Sequence, residues 1–561
     1  MLKKRINACL CFLIVMTFVG FTFSYKGYAV PAAPIIHPLT QPDGTIIKAR
    51  QWGDESCHGW ETEDGYTIVF DKGLNSWTYA INDTEGGLIS SSKVVGWDDL
   101  PADCYLHIRQ GGRALSKIVM RVTTKESSAK ISPTEDLTKR NKSSQRNVSS
   151  KGTANIPVIL VNFSDTNTTY TSEDFDSLLF GEDTYSMKKF YEATSYGNFS
   201  VSAGTDGVVG WYTAAKKHDY YGENDEIEYD KWPGDLVYEA VAAADEDIDF
   251  SAYDMDNDGY VDVVDIIHQG TGEEASSDET DIWSHRWSLE GAEYYGYSHY
   301  GKYTTNDKNS KGEYVKIDDY VLEPEKLDNN TQETIGVFAH EYGHALGLPD
   351  LYDVDYSSQG IGEWSIMAGG SWNYVQETGD RPALMDAWCK YFLDWVTPTQ
   401  VTGTLVNESI TNASTAADVY KLRKGESLEG EYFLVENRQK SGFDAGLPGA
   451  GLLIWHIDGD LIKKKMSSNK VNKKECYPDN NCSKKHYGVA LVQADNDWEL
   501  EKGINYGDSG DPYPGSTNNT SFTSSSSPNS NLYKGKSSGV SITNISVSGS
   551  TMTATLSVET K

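Results

Sequence analysis

Residues 331–350, TQETIGVFAHEYGHALGLPD, constrain the fold more than any other stretch of this chain. Ile335, Phe338, Ala339, Tyr342, Ala345 and Leu346 recur at helical spacing, which predicts an amphipathic helix. Asn330 or Thr331 can cap its start, and Gly347 is a natural stop. His340 and His344 stand four apart, so their rings leave one face of the helix a turn apart, and two imidazoles so placed can bind one zinc ion. Glu341 sits beside that position, placed to take a proton from a metal-activated water. Catalytic zinc needs a third protein ligand and an open fourth position. The chain turns at Gly347 and then presents Asp350, a hard oxygen donor, so the full run is HExxHxxGxxD.

Met367 follows in WSIMAGGSW, where Ala368-Gly369-Gly370 allows a tight turn. A methionine there can floor a metal site, as the Met-turn of metzincins does. On its own, Met367 reads as an ordinary core methionine. Tyr374, beyond that turn, is a candidate phenol for stabilising an oxyanion, although a core or surface tyrosine is the plainer reading.

At 561 residues the chain exceeds one domain. Lys3, Lys4 and Arg5, the apolar run Ala8 to Phe23 and the small-x-small triplet Gly27-Tyr28-Ala29 read as a secretory signal over residues 1–29, cleaved near Ala29. No later stretch is long and apolar enough to span a bilayer. The formal charge is −33, and losing the four basic residues of 1–29 takes it to −37. That balance argues against nucleic acid or anionic membrane as partner and suits a secreted, calcium-binding protein. Beyond the signal, Cys476 and Cys482 flank a short loop and could pair, as could Cys57 and Cys104, leaving Cys389 alone.

Along the chain, residues 30–124 carry short β-rich runs (TIIKARQW, GYTIVFD, SWTYAIN) between Gly and Asp turns, and read as a propeptide-like domain. Asp54, Glu55, Cys57 and His58 in it are candidates for a temporary ligand that keeps a zymogen latent. Residues 125–155 are polar and Ser/Lys-rich, the composition of a cleavable linker. From 156 to 400 strands and helices alternate (IPVILVNF, SMKKFYEATSYGNFSV, DLVYEAVAAADEDIDF), which predicts an α/β domain with a twisted sheet, closed by a helix over 382–395.

Within that domain DMDNDGYVDVVD has the spacing of an EF-hand calcium loop: Asp254, Asp256 and Asp258 at positions 1, 3 and 5, Gly259 at the turn, the Tyr260 carbonyl at 7, Asp262 at 9 and Asp265 at 12. Its exit alternates like a strand, so the loop lacks the second helix. His268, His285 and His456 could approach a cleft but read better as hydrogen-bonded core histidines. Residues 401–561 become all-β, a sandwich-like domain, with Asp458, Asp460, Asp508 and Asp511 in turns that read as solvated rather than as a second cation site.

The ordered series SYGNFSV, DNDGYVDVVDIIHQGTGEE, IWSHRW, HEYGHALGLPD, WSIMAGGSW, YFLVENRQ, LPGAGLLIWHID and GDPYPGSTNNTSF resembles the immune inhibitor A-like secreted bacterial metalloproteases, a metzincin-type branch. The resemblance implies a zincin catalytic domain in an α+β or α/β multidomain chain, zinc endopeptidase activity on protein or peptide substrates, a propeptide, calcium binding and secretion. Carried onto this sequence it implies His340, His344 and Asp350 as zinc ligands, Glu341 as base and Met367 as the Met-turn residue. Many metzincins have His where Asp350 stands, and Asp353 is near enough to compete. The chain ends sooner than longer members, so a further C-terminal binding module is expected to be lacking. A monomer without stable membrane association is expected. The rival from another class is a secreted binding or adhesion protein whose zinc is only structural.

Overall fold

The computed structural model describes residues 27–84, 86–110, 148–182, 185–225, 229–424, 430–478 and 480–560. The charged and apolar parts of the signal, and most of the expected linker, lie outside these residues.

Six strands form an antiparallel meander in sequence order: His37–Thr40, Ile46–Asp54, Cys57–Thr62, Thr67–Asp71, Ser76–Asn82 and Leu88–Val94. Ile47 and Ala49 are buried while Ile46 and Lys48 are exposed, the alternation of a sheet with one wet face.

The central sheet runs in the order Tyr28–Ala29, His285–Ser288, Asp319–Lys326, Val264–Thr271, Val158–Asn162 and Val208–Thr213. The last four pair parallel, and the first two are antiparallel additions at one edge. Side chains of a strand alternate between faces. Ile159, Val161 and Ile266 pack on one face with Leu236, Val237 and Val241 of the helix Pro233–Ala244. Val158, Leu160 and Ile267 pack on the other with Phe338, Ala339 and Tyr342 of the helix Ile335–Ala345. Both faces are covered, which is why IPVILVNF is apolar throughout.

A five-stranded sheet (Thr399–Val401, Tyr420–Leu422, Glu431–Arg438, Gly451–Asp458, Val489–Leu491) and a three-stranded one (Thr404–Thr411, Thr551–Val558, Val540–Thr543) make up the C-terminal third. Phe433, Val435 and Ile454 share a core with Ile542 and Leu556, whereas Leu434, Trp455 and Ile457 join the core that holds the His340 helix. The C-terminal sheet therefore packs by one face on its own layer and by the other on the residues around the cleft.

Two expectations shift. Gly152–Asn155 is a strand, parallel to Phe199–Ser202, so the end of the stretch expected as linker is part of a sheet. The helix expected over 382–395 is only Ala387–Phe392, because the Asp386 carboxylate accepts from Trp388 and Cys389 N–H and caps it there.

Candidate active site

The helix Ile335–Ala345 is buried along its whole length. Gly347, at φ +93°, turns the chain back so that Asp350 faces the two histidines. His340 Nδ1 donates to Ile366 O (2.7 Å) and His344 Nδ1 to Leu348 O (2.9 Å), which fixes both tautomers with bare Nε2 atoms facing inward. The Nε2 atoms are 3.2 Å apart, and Asp350 Oδ1 lies 3.2 Å from one and 3.3 Å from the other. Tetrahedral zinc with bonds of ~2.0 Å sets its ligand atoms ~3.3 Å apart, so this triangle fits zinc. Asp350 Oδ1 has no hydrogen-bond donor, as a ligating oxygen should not. Burial alone would raise the Asp350 carboxyl, but the two imidazoles outweigh it and hold it well below the usual range. Burial lowers His344. A neutral His344 and an ionised Asp350 are the forms a divalent metal needs.

Asn469, in the left-handed region at φ 48°, comes from the C-terminal third. Its Oδ1 accepts from Asp350 N–H (2.9 Å), and its Nδ2 donates to Asp350 Oδ2. That clamp leaves Oδ1 of Asp350 for the triangle. Met367 is fully buried directly below the helix: a Cβ on Gly343 would come within 2.5 Å of its sulfur. Gly343, between the two histidines, is what lets Met367 approach.

An extended segment crosses this centre. Tyr28 and Ala29 pair with Arg286 and His285 of the sheet-edge strand, and the Tyr28 ring lies 4.7 Å from that of His344. Val30 N–H donates to Glu341 Oε1 at 2.6 Å. Tyr352 O–H lies 2.9 Å from Ala29 O and 2.8 Å from Asp54 Oδ2. Trp283 and Trp372 indoles donate to the carbonyls of Val30 and Pro31, both at 2.9 Å. Burial, with the Asp350 charge added, pushes the Glu341 carboxyl well above its usual range, and the Val30 N–H opposes that shift.

Residues 147–398 match the family described as immune inhibitor A peptidase M6, catalytic domain. Residues 147–398 are an immune inhibitor A-type catalytic domain. The pre-pro-metalloprotease PrtV of two Vibrio cholerae serotype O1 strains is 34% identical over 236 residues, which is 38% of this chain and 24% of the relative. Immune inhibitor A of Bacillus thuringiensis subsp. alesti is also 34% identical over 236 residues, 36% of this chain and 32% of the relative. The chain thus spans about a quarter to a third of the length of these relatives. Among the described residues no helix is long and apolar enough to cross a membrane.

Other expectations for the immune inhibitor A-type domain fare unevenly. Tyr374 is 60% exposed, away from the triangle, because the chain leaves the short helix Gly369–Trp372 outward and packs its backbone on Gly446. Tyr352, by contrast, is buried and directs its O–H at the segment that crosses the centre. Asp353 does not compete for the metal; it is buried and accepts from Ser357, Ser358 and Tyr487. Asp54 contacts Tyr352, Glu55 groups with Asp230 and His285, and His58 lies 3.3 Å from Glu273, so none of these joins the triangle. The cleft is filled instead by residues 28–31.

Asp254, Asp256 and Asp258 each offer an oxygen within 4.8 Å of the others, with Gly259 at φ +94°. Burial and the charges of Asp256, Asp254 and Asp258 push Asp262 up to about 7. Tyr260 forms a parallel bridge with Lys316. Asp265 departs from the expected set: it lies buried in the strand Val264–Thr271, and burial pushes its carboxyl up to about 7. Because the chain enters a strand rather than a second helix, the side chain at position 12 goes into the sheet.

His268 Nδ1 donates to Gln269 O, His285 bridges Trp283 O and Tyr320 O–H, and His456 stacks on Tyr533 beside Glu431. Cys476 and Cys482 are disulfide-bonded. The expected Cys57–Cys104 disulfide is not formed, and Cys389 forms none either.

Proposed function

We propose that this chain is a secreted zinc endopeptidase made as a zymogen, with His340, His344 and Asp350 as ligands, Glu341 as general base and Met367 as the floor of the site. The observation that carries the reading is the triangle of two imidazole nitrogens and one carboxylate oxygen with edges of 3.2–3.3 Å, crossed by an extended backbone whose N–H meets Glu341. A zinc ion held there acts as a Lewis acid toward the scissile carbonyl and the attacking water.

The residues divide the remaining work. Substrate adds to the sheet edge at His285–Ser288, as residues 28–29 do, so main-chain hydrogen bonds align it without regard to side chains. Val30 N marks the place of a leaving amide nitrogen, and Glu341, 2.6 Å away, takes the water's proton and passes it there. Ala29 O marks the place of the carbonyl oxygen, toward which Tyr352 O–H points as negative charge develops. Burial keeps the Glu341 carboxyl basic, which suits a base that later acts as an acid.

The zymogen reading follows from steric exclusion, since residues 30–33, which remain after a signal is cleaved near Ala29, and a substrate cannot share one cleft. Residues 30–124 are then a propeptide, residues 125–155 the segment cut on activation, and 401–561 a C-terminal β domain that supplies Asn469. Calcium at Asp254, Asp256, Asp258, Tyr260 and Asp262 would neutralise a carboxylate cluster at the end of a central strand. Substrates are proteins, and the working form is a monomer.

Casein digestion by the matured protein tests the activity. Cleavage should stop with a zinc chelator and return with zinc. If a chelator-treated, zinc-free sample still cleaves, the reading fails. A structural zinc site would be closed by a fourth protein ligand, whereas this group contains three among the described residues.

A further inference from the structure

The chain after Val489–Leu491 folds back on itself and brings together three carboxylates that the site above does not use. Asp495, Asp508 and Asp511 each offer an oxygen, and these lie within 4.8 Å of one another. Asp511 Oδ2 accepts from Asp508 N–H and from the Trp364 indole, both at 3.0 Å. Asp508 accepts from Gly510 N–H (2.6 Å) and from Asn505 Nδ2 (3.1 Å), and Asp495 from Asp497 N–H (3.0 Å). Asp511 is 1% exposed, and its Oδ1 has no hydrogen-bond partner.

Among the described residues no lysine or arginine forms an ion pair with any of the three; Lys502 reaches only the backbone carbonyl of Asp497. Burial first, and the charges of Asp508 and Asp495 after it, push the Asp511 carboxyl up to about 8. A buried carboxylate oxygen with neither donor nor cation is costly, and three converging carboxylates compound that cost. The reading of Asp508 and Asp511 as solvated turns does not survive the burial of Asp511.

We infer that Asp495, Asp508 and Asp511 form a calcium site distinct from the loop at Asp254–Asp258. An all-oxygen set selects a hard cation, and three carboxylates on one irregular loop suit Ca2+, whereas Mg2+ usually takes one or two and keeps its waters. Oxygens on opposite sides of Ca2+ at ~2.4 Å stand ~4.8 Å apart, compatible with the spread of this cluster.

The site has a structural consequence. Asp511 holds the Trp364 indole, and two residues further Ile366 O accepts from His340 Nδ1 at 2.7 Å. A cation that fixes Asp511 therefore braces the segment that orients His340 and carries Met367.

Calcium bound per chain, measured on the full protein by equilibrium dialysis against Ca2+ alone, tests this. Asp511→Asn should bind one Ca2+ fewer than the parent, and Tb3+ luminescence excited through tryptophan should fall several-fold with the loss of the ion beside Trp364. A tenfold excess of Mg2+ should leave the parent stoichiometry unchanged. If Asp511→Asn does not fold, Asp495→Asn, at a partly exposed position, gives the same readout. Folded Asp495→Asn and Asp508→Asn variants that bind as much calcium as the parent would overturn the site, and Mg2+ displacing the ion at equal concentration would overturn its assignment to calcium.

Discussion

Val30 and Glu341, 311 positions apart, meet through a backbone N–H donated at 2.6 Å to a buried carboxylate. This contact ties the N-terminal segment directly to the chemistry proposed for the site. It places a peptide nitrogen where a base would deliver a proton, and it closes that place to anything else.

In protein that retains residues 1–29, Val30→Pro deletes the donor while keeping an extended backbone. A hydrogen bond to a charged group is worth roughly 1.5–3 kcal/mol. The unprocessed variant should therefore leak activity about 10- to 100-fold above the parent zymogen, measured on a quenched peptide before any propeptide cleavage. Equal latency in the two proteins would move the block elsewhere.

Removing the carboxylate itself should separate metal binding from catalysis. Glu341→Ala leaves the triangle of His340, His344 and Asp350 intact, so zinc content by elemental analysis should stay at the parent level. The loss of general acid–base assistance should lower kcat about 10²- to 10⁴-fold. His344→Ala should lose the metal as well.

Two tyrosines separate the expected from the observed oxyanion partner. Tyr352→Phe should lower kcat roughly 10²-fold with little change in KM, as for loss of one preorganised donor. Tyr374→Phe, at a 60% exposed position, should match the parent. The reverse pattern would restore Tyr374 to the role its place after the Met-turn first suggested.

The clamp on Asp350 yields a metal-affinity test. Asn469→Ala removes both the acceptor for Asp350 N–H and the donor to Asp350 Oδ2. Loss of such an orienting partner typically costs 10- to 100-fold in metal affinity. Competition with a fluorescent zinc chelator should show that weakening while the circular dichroism spectrum is unchanged.

What could be read from the chain is what is local in it. The His340 helix, its stop at Gly347 and the turn to Asp350 lie within sixteen residues of Ile335, so periodicity and ligand spacing were enough. The apolar, β-branched run IPVILVNF and the β-rich C-terminal third were legible for the same reason. Asn469 carries no such signal, because an asparagine becomes a clamp only when the C-terminal sheet packs on the cleft. The segment Tyr28–Pro31 reads as a cleavage site, and only its pairing with His285 and Arg286 shows it crossing the centre. The setting of Asp265 was not legible, because loop spacing does not say whether position 12 belongs to a helix or, as here, to a strand.

Acid should loosen the N-terminal sheet before the rest. Glu61 is 2% exposed and accepts from His107 and Arg109, both at 2.9 Å; Arg109 in turn donates to Tyr356 O at 2.9 Å, joining that sheet to the cleft. Burial opposes ionisation of Glu61, but His107 and Arg109 outweigh it and hold the carboxyl down at about 2, against an ordinary 4.5. A depressed carboxyl contributes stability that is complete above its unfolded pKa and is lost as pH falls toward the folded one. The window is therefore about pH 4.5 down to 2, and the contribution is on the order of 3 kcal/mol. Glu61→Gln should remove most of the loss of stability across that window, followed by tryptophan fluorescence during urea unfolding at fixed pH. It should also weaken the tie to Tyr356, so that limited proteolysis near pH 7 releases the N-terminal sheet sooner than in the parent. An acid profile identical to the parent's would show that Glu61 does not set that transition.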